Sequence, residues 1–200
     1  MSTASSDDRG SIYVTAGAIL VGVPTGLLCA IFLSRFASGK IAAFLKPGVE
    51  LLAGIPSVVY GFFGLVVVVP LIREFGTALY KAGLVSKPGN GNSILTASLI
   101  LGMMILPTII GTTESAMRAV PSHYYEGSLA LGATKERSIF RVIIPAAKSG
   151  VIAGIVLGIG RAIGETMAVI MIVGNQARLT GSILDGIRTL TGNIVIEMGY

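Results

Sequence analysis

IYVTAGAILVGVPTGLLCAIFLS, residues 12–34, contains no charged side chain. A bilayer core of ~30 Å is crossed by roughly 20 apolar residues in helical form, so this stretch is long enough to span one. Three further stretches read the same way. They cover about residues 51–72, preceded by Glu50; about 94–113; and 146–173, which holds Arg161 and Glu165. Pro24, Pro56, Pro70 and Pro107 interrupt or flank these spans. In water they would break helices, but within a bundle neighbouring groups satisfy the freed carbonyls. The alternating polarity of β-barrel strands of ~10 residues is not present. The sequence therefore predicts an all-α, polytopic transmembrane bundle of about four spans.

Composition agrees. Apolar residues make up 52% of the 200, charged residues 12%, and there are 27 glycines, as membrane helices allow. Mean hydropathy is +0.82. The single cysteine, Cys29, lies inside the first span, so there is no disulfide framework. It is expected to be a small buried hydrophobe. The net charge of +5 comes from basic residues scattered among loops, with no run of them, and reads as loop chemistry at a membrane surface rather than a nucleic-acid footprint. The first ten residues, MSTASSDDRG, are polar and acidic, unlike a cleavable signal peptide. Residues 1–11 form a polar N-terminal segment and 12–200 a single membrane domain, with 114–145 as its longest polar loop.

Lys and Arg set the orientation. Arg35, Lys40, Lys46, Arg118, Lys135, Arg137, Arg141 and Lys148 fall on one side; Arg9, Arg73, Lys81, Lys87, Arg178 and Arg188 fall on the other. The count of eight against six leans toward placing the 114–145 loop in the cytoplasm without deciding it. From Thr180 onward, Ile183, Ile187, Leu190 and Ile194 recur at helical spacing among polar residues, which predicts an amphipathic helix at the outer surface or packed on the bundle.

Within the polar loop, residues 126–145 read EGSLALGATKERSIFRVIIP. Ser122, after Pro121, suits an N-cap accepting from the amide of Tyr124 or Tyr125. Gly132 suits a left-handed helix end. Thr134 suits the cap of a second short helix through about Val142, and Pro145 the first turn of the last span. The first short helix would present Gly127, Leu129, Ala130 and Ala133 as a compact face, with Glu126 in its first turn. Such a knob fits the groove of a partner.

Arg161 and Glu165 are the second signal. At mid-span each costs ~2.5–3.5 kcal/mol on insertion scales. At i,i+4 spacing they share a face and can pair. Gly158, Gly154 and Gly150 continue that stripe, and small residues let helices approach closely. The pair is therefore expected at a helix interface or pore. It is either a structural ion pair or a substrate-path site in which the planar fork of Arg161 meets an oxyanion and Glu165 moderates the field. An intramembrane hydrolase has little support: His123 is the only histidine and lies in the polar loop, and neither Ser57 nor Ser149 has a base beside it in the sequence.

The loop resembles the EAA loop of ABC importer permeases. Glu126, Gly132, Val142, Ile144 and Pro145 fall at that pattern's positions, with Gly127-Ser128 standing for Ala-Ala, Val142 for Ile and Ile144 for Leu. GIGRAIGETMAVIMIVGN (158–175), GIPSVVYGFFGL (54–65, with Ser57 and Tyr60) and LDGIRTLTGNIVIEMGY (184–200) resemble phosphate ABC permeases of the PstC type. The resemblance implies a MetI-like, type I importer permease in a prokaryotic cytoplasmic membrane. It implies as partners a second, PstA-type permease subunit, two ATP-binding cassette ATPase subunits and an external phosphate-binding protein. It assigns Glu126 to Gly132, with Gly127, Ser128, Leu129, Ala130, Ala133 and Pro145, to ATPase coupling. It assigns Arg161, Glu165, Ser57 and Tyr60 to the substrate path. No catalytic residue, metal or cofactor is assigned to this chain. It lacks a Walker A pattern, so ATP would be used by the partner. Members of the family have about six spans; four here make the chain look truncated at both ends. The competing expectations are a permease for another oxyanion, sulfate or molybdate, and a fragment that binds the ATPase without transporting.

Overall fold

The computed structural model describes residues 2–85, 87, 89–173, 189 and 192–194, with residues 2–9 as backbone alone. The described residues are helical throughout their regular structure. Helix α1 covers Ser2–Ile31 and runs into a π-helical turn, Phe32–Phe36. Helix α2 is Gly39–Gly54. Helices α3 (Ser57–Phe63) and α4 (Val69–Lys81) are joined without a break by a π-helical turn, Gly64–Val68. Helix α5 is Ile94–Arg118 and α6 is Ser122–Ala130. Helix α7 (Lys135–Ser138) continues through a π-helical turn, Ile139–Ile143, into α8 (Ile144–Ala146). Helices α9 (Lys148–Gly164) and α10 (Met167–Ile172) follow.

Three of these stretches are long and apolar enough to cross a membrane: Gly10–Phe36, Ser57–Lys81 and Ile94–Arg118. A fourth, Lys135–Ala146 with Lys148–Gly164, qualifies only as a pair bent by 71°. The span Ile94–Arg118 has 67% of its apolar window buried, against 28% for each of the other two, so α5 is the most buried of the three.

Three boundaries differ from the sequence reading. The first helix begins at Ser2 rather than after a separate polar segment. The second span starts at Ser57, not near Leu51, because residues 51–54 complete α2. Pro56 has no N–H and holds extended backbone (φ −59°, ψ 144°), so it starts a new helix and cannot continue the old one. The fourth span is not continuous over 146–173: the chain bends at Ala147, and α9 stops at Gly164. Cys29 is exposed, not buried. The amphipathic helix expected from Thr180 lies outside the described residues, apart from Thr189 and 192–194.

The chain divides into two compact units. One comprises residues 1–22, 55–104 and 160–200; the other comprises 23–54 and 105–159. In the first unit, Ser98 Oγ of α5 donates to the Val14 carbonyl of α1 at 3.2 Å. Helix α10 lies against α3, where a Cβ on Gly61 would stand 3.0 Å from Ala168 Cα. Asn92 Nδ2 donates to the Ile172 carbonyl at 3.1 Å, tying the loop before α5 to the end of α10.

In the second unit, Met117, Ile139, Ile143 and Ala147 form one buried cluster, and Ala30, Leu33 and Ile110 another. Gly150, Gly154 and Gly158 of α9 face α5. A Cβ on Gly150 would collide with Ala116 Cβ. One on Gly154 would stand 3.2 Å from Thr112 Cβ, and one on Gly158 2.8 Å from Ile109 Cγ1. Three glycines, one helical turn apart, thus lie along one line of α5 and let the two backbones approach as side chains would not.

Candidate functional site

The polar loop of the second unit is built as two short helices on a buried base. Pro121, at φ −57° and ψ 141°, holds the cap position of α6, and Tyr124 N donates to its carbonyl at 3.2 Å. Ser122 is therefore the first helical residue and not the expected N-cap: the extended conformation that a cap needs is the one a proline ring accepts, one residue earlier. At the other end Gly132 has φ +82°. Its N–H reaches the Leu129 carbonyl at 2.9 Å, and Ala133 N reaches that of Ser128 at 3.2 Å. These two bonds are a Schellman motif, which needs the left-handed residue that glycine supplies. Thr134 caps α7, its hydroxyl accepting from Arg137 N at 3.3 Å.

The hydroxyls of Ser128 and Ser138 meet at 2.8 Å and tie α6 to α7. Beneath them Ile139 and Ile143 are fully buried with Met117, and Tyr125 packs on the same cluster. Helix α6 itself buries no residue. Glu126, Gly127, Leu129, Ala130 and Gly132 face solvent, Ala133 is half-buried, and Pro145 is exposed at the far end of α8. Leu131 is 91% exposed at the helix end. Ser128 alone of the expected coupling residues turns to the base. The arrangement is a short exposed helix seated on the Ile139–Ile143 segment and tied to α7 through the two serine hydroxyls. His123 is exposed and stacks on Tyr124, with ring centroids 4.7 Å apart. Ser149 and Tyr124 both line a cleft of about 320 Å³.

Behind the loop is a charge cluster that the sequence reading missed. Glu114, 6% exposed, receives Lys46 Nζ at 2.9 Å and Arg118 Nε at 2.7 Å on the same oxygen, Oε1. Arg35 donates to the Met117 carbonyl. Lys135 Nζ sits 5.3 Å above the Phe36 ring. The i,i+4 spacing of Glu114 and Arg118 was a usable signal, but Lys46 lies far away in sequence and could not have been paired with them.

The other group of expected site residues lies in the first unit. Ser57 opens α3 and is half-buried, and Tyr60, one turn on, is 6% exposed. Arg161, half-buried near the end of α9, is close enough to act electrostatically on the Tyr60 hydroxyl. Glu165 is not on the same helical face as Arg161, because α9 ends at Gly164 and Glu165 lies in the break before α10. There its Oε1 accepts from Ala168 N at 3.1 Å and caps α10. A carboxylate at a helix N-terminus satisfies an orphan N–H and meets the positive end of the dipole. Glu165 also lines a small cavity of about 20 Å³ with Ser11, Thr15 and Thr189, room for about one water. Ser57, Tyr60, Arg161 and Glu165 are thus placed by α3, the end of α9 and the break that follows it. Gly150, Gly154 and Gly158 stand in the packing line described above.

Comparison with known proteins follows the same lines. The sequence pattern of the family described as "Binding-protein-dependent transport system inner membrane component" matches residues 22–195. The "Probable ABC transporter permease protein YqgH" of Bacillus subtilis (strain 168) is 42% identical over 191 residues, 96% of this chain and 59% of that protein. The "Phosphate transport system permease protein PstC" of Mesorhizobium japonicum is 36% identical over 197 residues, 94% of this chain and 60% of that protein. The "Phosphate transport system permease protein PstC 2" of Mycobacterium tuberculosis is 37% identical over 187 residues, covering 88% and 57%. The chain spans about 60% of the length of these relatives. Among solved structures, one titled "Crystal structure of an amino acid ABC transporter with histidines" superposes with a TM-score of 0.63 at 19% identity, covering 98% of this chain and 78% of that one. That likeness is one of fold.

Proposed function

Because this chain belongs to the family of binding-protein-dependent transport system inner membrane components, we propose that it is a permease subunit of an ATP-driven importer of inorganic phosphate. The observation that carries the phosphate reading is the likeness, over 88–95% of the chain, to proteins called phosphate transport system permease. The 42% relative has no substrate in its name, which makes another oxyanion such as sulfate or molybdate the outcome to test against.

In this reading the subunit performs no covalent chemistry. ATP is hydrolysed by a pair of partner ATPases that grip the knob from Glu126 to Gly132. A second, PstA-type permease completes the membrane pathway, and an external phosphate-binding protein delivers the anion. The knob suits that task because α6 buries nothing and its seat is fixed by the Ser128–Ser138 contact and the Gly132 end. Pro145 lies two residues before the 71° bend, where motion of the knob would reach α9.

Arg161 is the phosphate contact. Its planar fork of donors matches an oxyanion bidentately, and a half-buried guanidinium binds it more strongly than one in water. Tyr60 adds a hydroxyl at the same place, and Ser57 stands one turn before it on α3. Glu165 holds the break that stops α9 beside Tyr60, and its negative charge keeps the anion from binding too tightly to leave. The experiment is uptake of radiolabelled phosphate by proteoliposomes holding the full complex. An excess of unlabelled phosphate should abolish it and an excess of sulfate or molybdate should not; suppression by sulfate would replace phosphate as the substrate.

A further inference from the structure

An apolar groove of about 530 Å³ runs along the second unit. Leu28 and Phe32 from the first helix, Leu45 and Val49 from α2, and Ile110 from α5 line it, with Cys29 and Gly48 in its floor. Nothing lies within 4 Å of where a Cβ on Gly48 would stand, so the groove is open space. The three elements that form it also carry the charge cluster. Glu114 and Arg118 are one and two turns on from Ile110 in α5, Lys46 follows Leu45 in α2, and Arg35 lies in the turn that begins at Phe32.

Lys46 and Arg118 meet the Glu114 carboxylate, and Arg35, which donates to the Met117 carbonyl, brings a third cation, so these four side chains carry an excess of two positive charges. The single carboxylate is already engaged by Lys46 and Arg118 through one oxygen. The Arg35 Nε–H is buried and meets no acceptor among the described residues, and Arg118 is close enough to act on the Arg35 charge. Lys46 and Arg118 keep 38% and 51% of their side chains exposed, so their remaining donors are reachable from outside.

We infer that this groove and its cationic end form a binding site for one anionic phospholipid. An acyl chain occupies the groove, and the phosphodiester sits at Lys46, Arg118 and Arg35. The pairing of charge and shape selects this occupant. An apolar helix from a protein would fill the groove but leave the excess cations unmatched. A zwitterionic lipid would fill it while bringing its own cation to a site already positive. Basic pockets between membrane helices recruit anionic headgroups in this way. The inference does not depend on which solute the protein transports.

The test is native mass spectrometry of the purified full chain titrated with phosphatidylglycerol or with phosphatidylcholine of identical acyl chains. One phosphatidylglycerol should be retained in preference to phosphatidylcholine. Lys46→Ala should reduce that preference about fivefold, the loss of one lysine near a lipid phosphate. Gly48→Phe, which fills open space without touching the ion cluster, should reduce retention of both lipids. It keeps the inference falsifiable if Lys46→Ala fails to fold. Millimolar inorganic phosphate should not displace the lipid. Equal retention of the two lipids by the unmodified chain, unchanged retention in Gly48→Phe, or displacement by inorganic phosphate would each overturn the assignment.

Discussion

Arg161 and Glu114 illustrate two uses of a charge in an apolar chain. Arg161 was legible in the sequence because a guanidinium in the middle of an apolar run needs a reason to be there. Its neighbour Tyr60 was legible only through resemblance, since no spacing rule connects residues on two separate helices. Replacing Arg161 with alanine should abolish phosphate uptake while the protein still inserts and assembles. Normal uptake by an assembled Arg161→Ala complex would remove the residue from the anion path. Glu114 escaped the sequence reading because it sits just past the apolar window, where a carboxylate looks like ordinary loop chemistry. Its burial with two cations makes Glu114→Gln destabilising by about 1–2 kcal/mol. That is less than for a fully buried pair, because both cations keep a third or more of their surface in solvent. Thermal unfolding in detergent measures it, and an unchanged midpoint would show the cluster to be energetically neutral.

At the level of helices and their ends, the sequence was most reliable where one residue type has one physical job. Gly132 and Thr134 end and start helices as their chemistry dictates. The same reading misplaced the start of α6 by one residue and ran α9 through Glu165. The first error has a physical cause: a polar residue that can cap does not reveal which of two neighbouring positions will hold extended backbone. Gly132→Ala forces a side chain into left-handed backbone at about 1–2 kcal/mol and should loosen the seat of α6. The expected result is weaker coupling of ATP hydrolysis to transport with substrate binding intact. Gly127 faces open space, so Gly127→Leu should leave the unfolding midpoint within about 0.5 kcal/mol of the original. It should nevertheless weaken association with the ATPase, read by co-purification; full association would show that the knob is not the docking surface. Gly150→Leu should behave oppositely. Its Cβ collides with Ala116, and overpacking there should cost about 1–3 kcal/mol without any direct effect on the ATPase.

For the chain as a whole, length and polarity decided the class early. Four apolar stretches predicted a membrane bundle, and the structure gives three helices long and apolar enough to cross a membrane and a fourth candidate that is bent. The bend was invisible because 146–173 is apolar on both sides of Ala147 and hydropathy carries no information about direction. The family follows from the match over residues 22–195; the proposed solute is argued from relatives named for phosphate transport that are 34–37% identical. The central claim is that this chain carries phosphate through a pathway driven from the knob at Glu126–Gly132. The most direct measurement is ATP hydrolysis in proteoliposomes that hold the chain with its neighbouring permease, ATPase and binding protein. Phosphate should stimulate hydrolysis and sulfate should not, and Gly127→Leu should suppress the stimulation. A bound ATPase whose rate ignores phosphate, or responds equally to sulfate, would contradict the account.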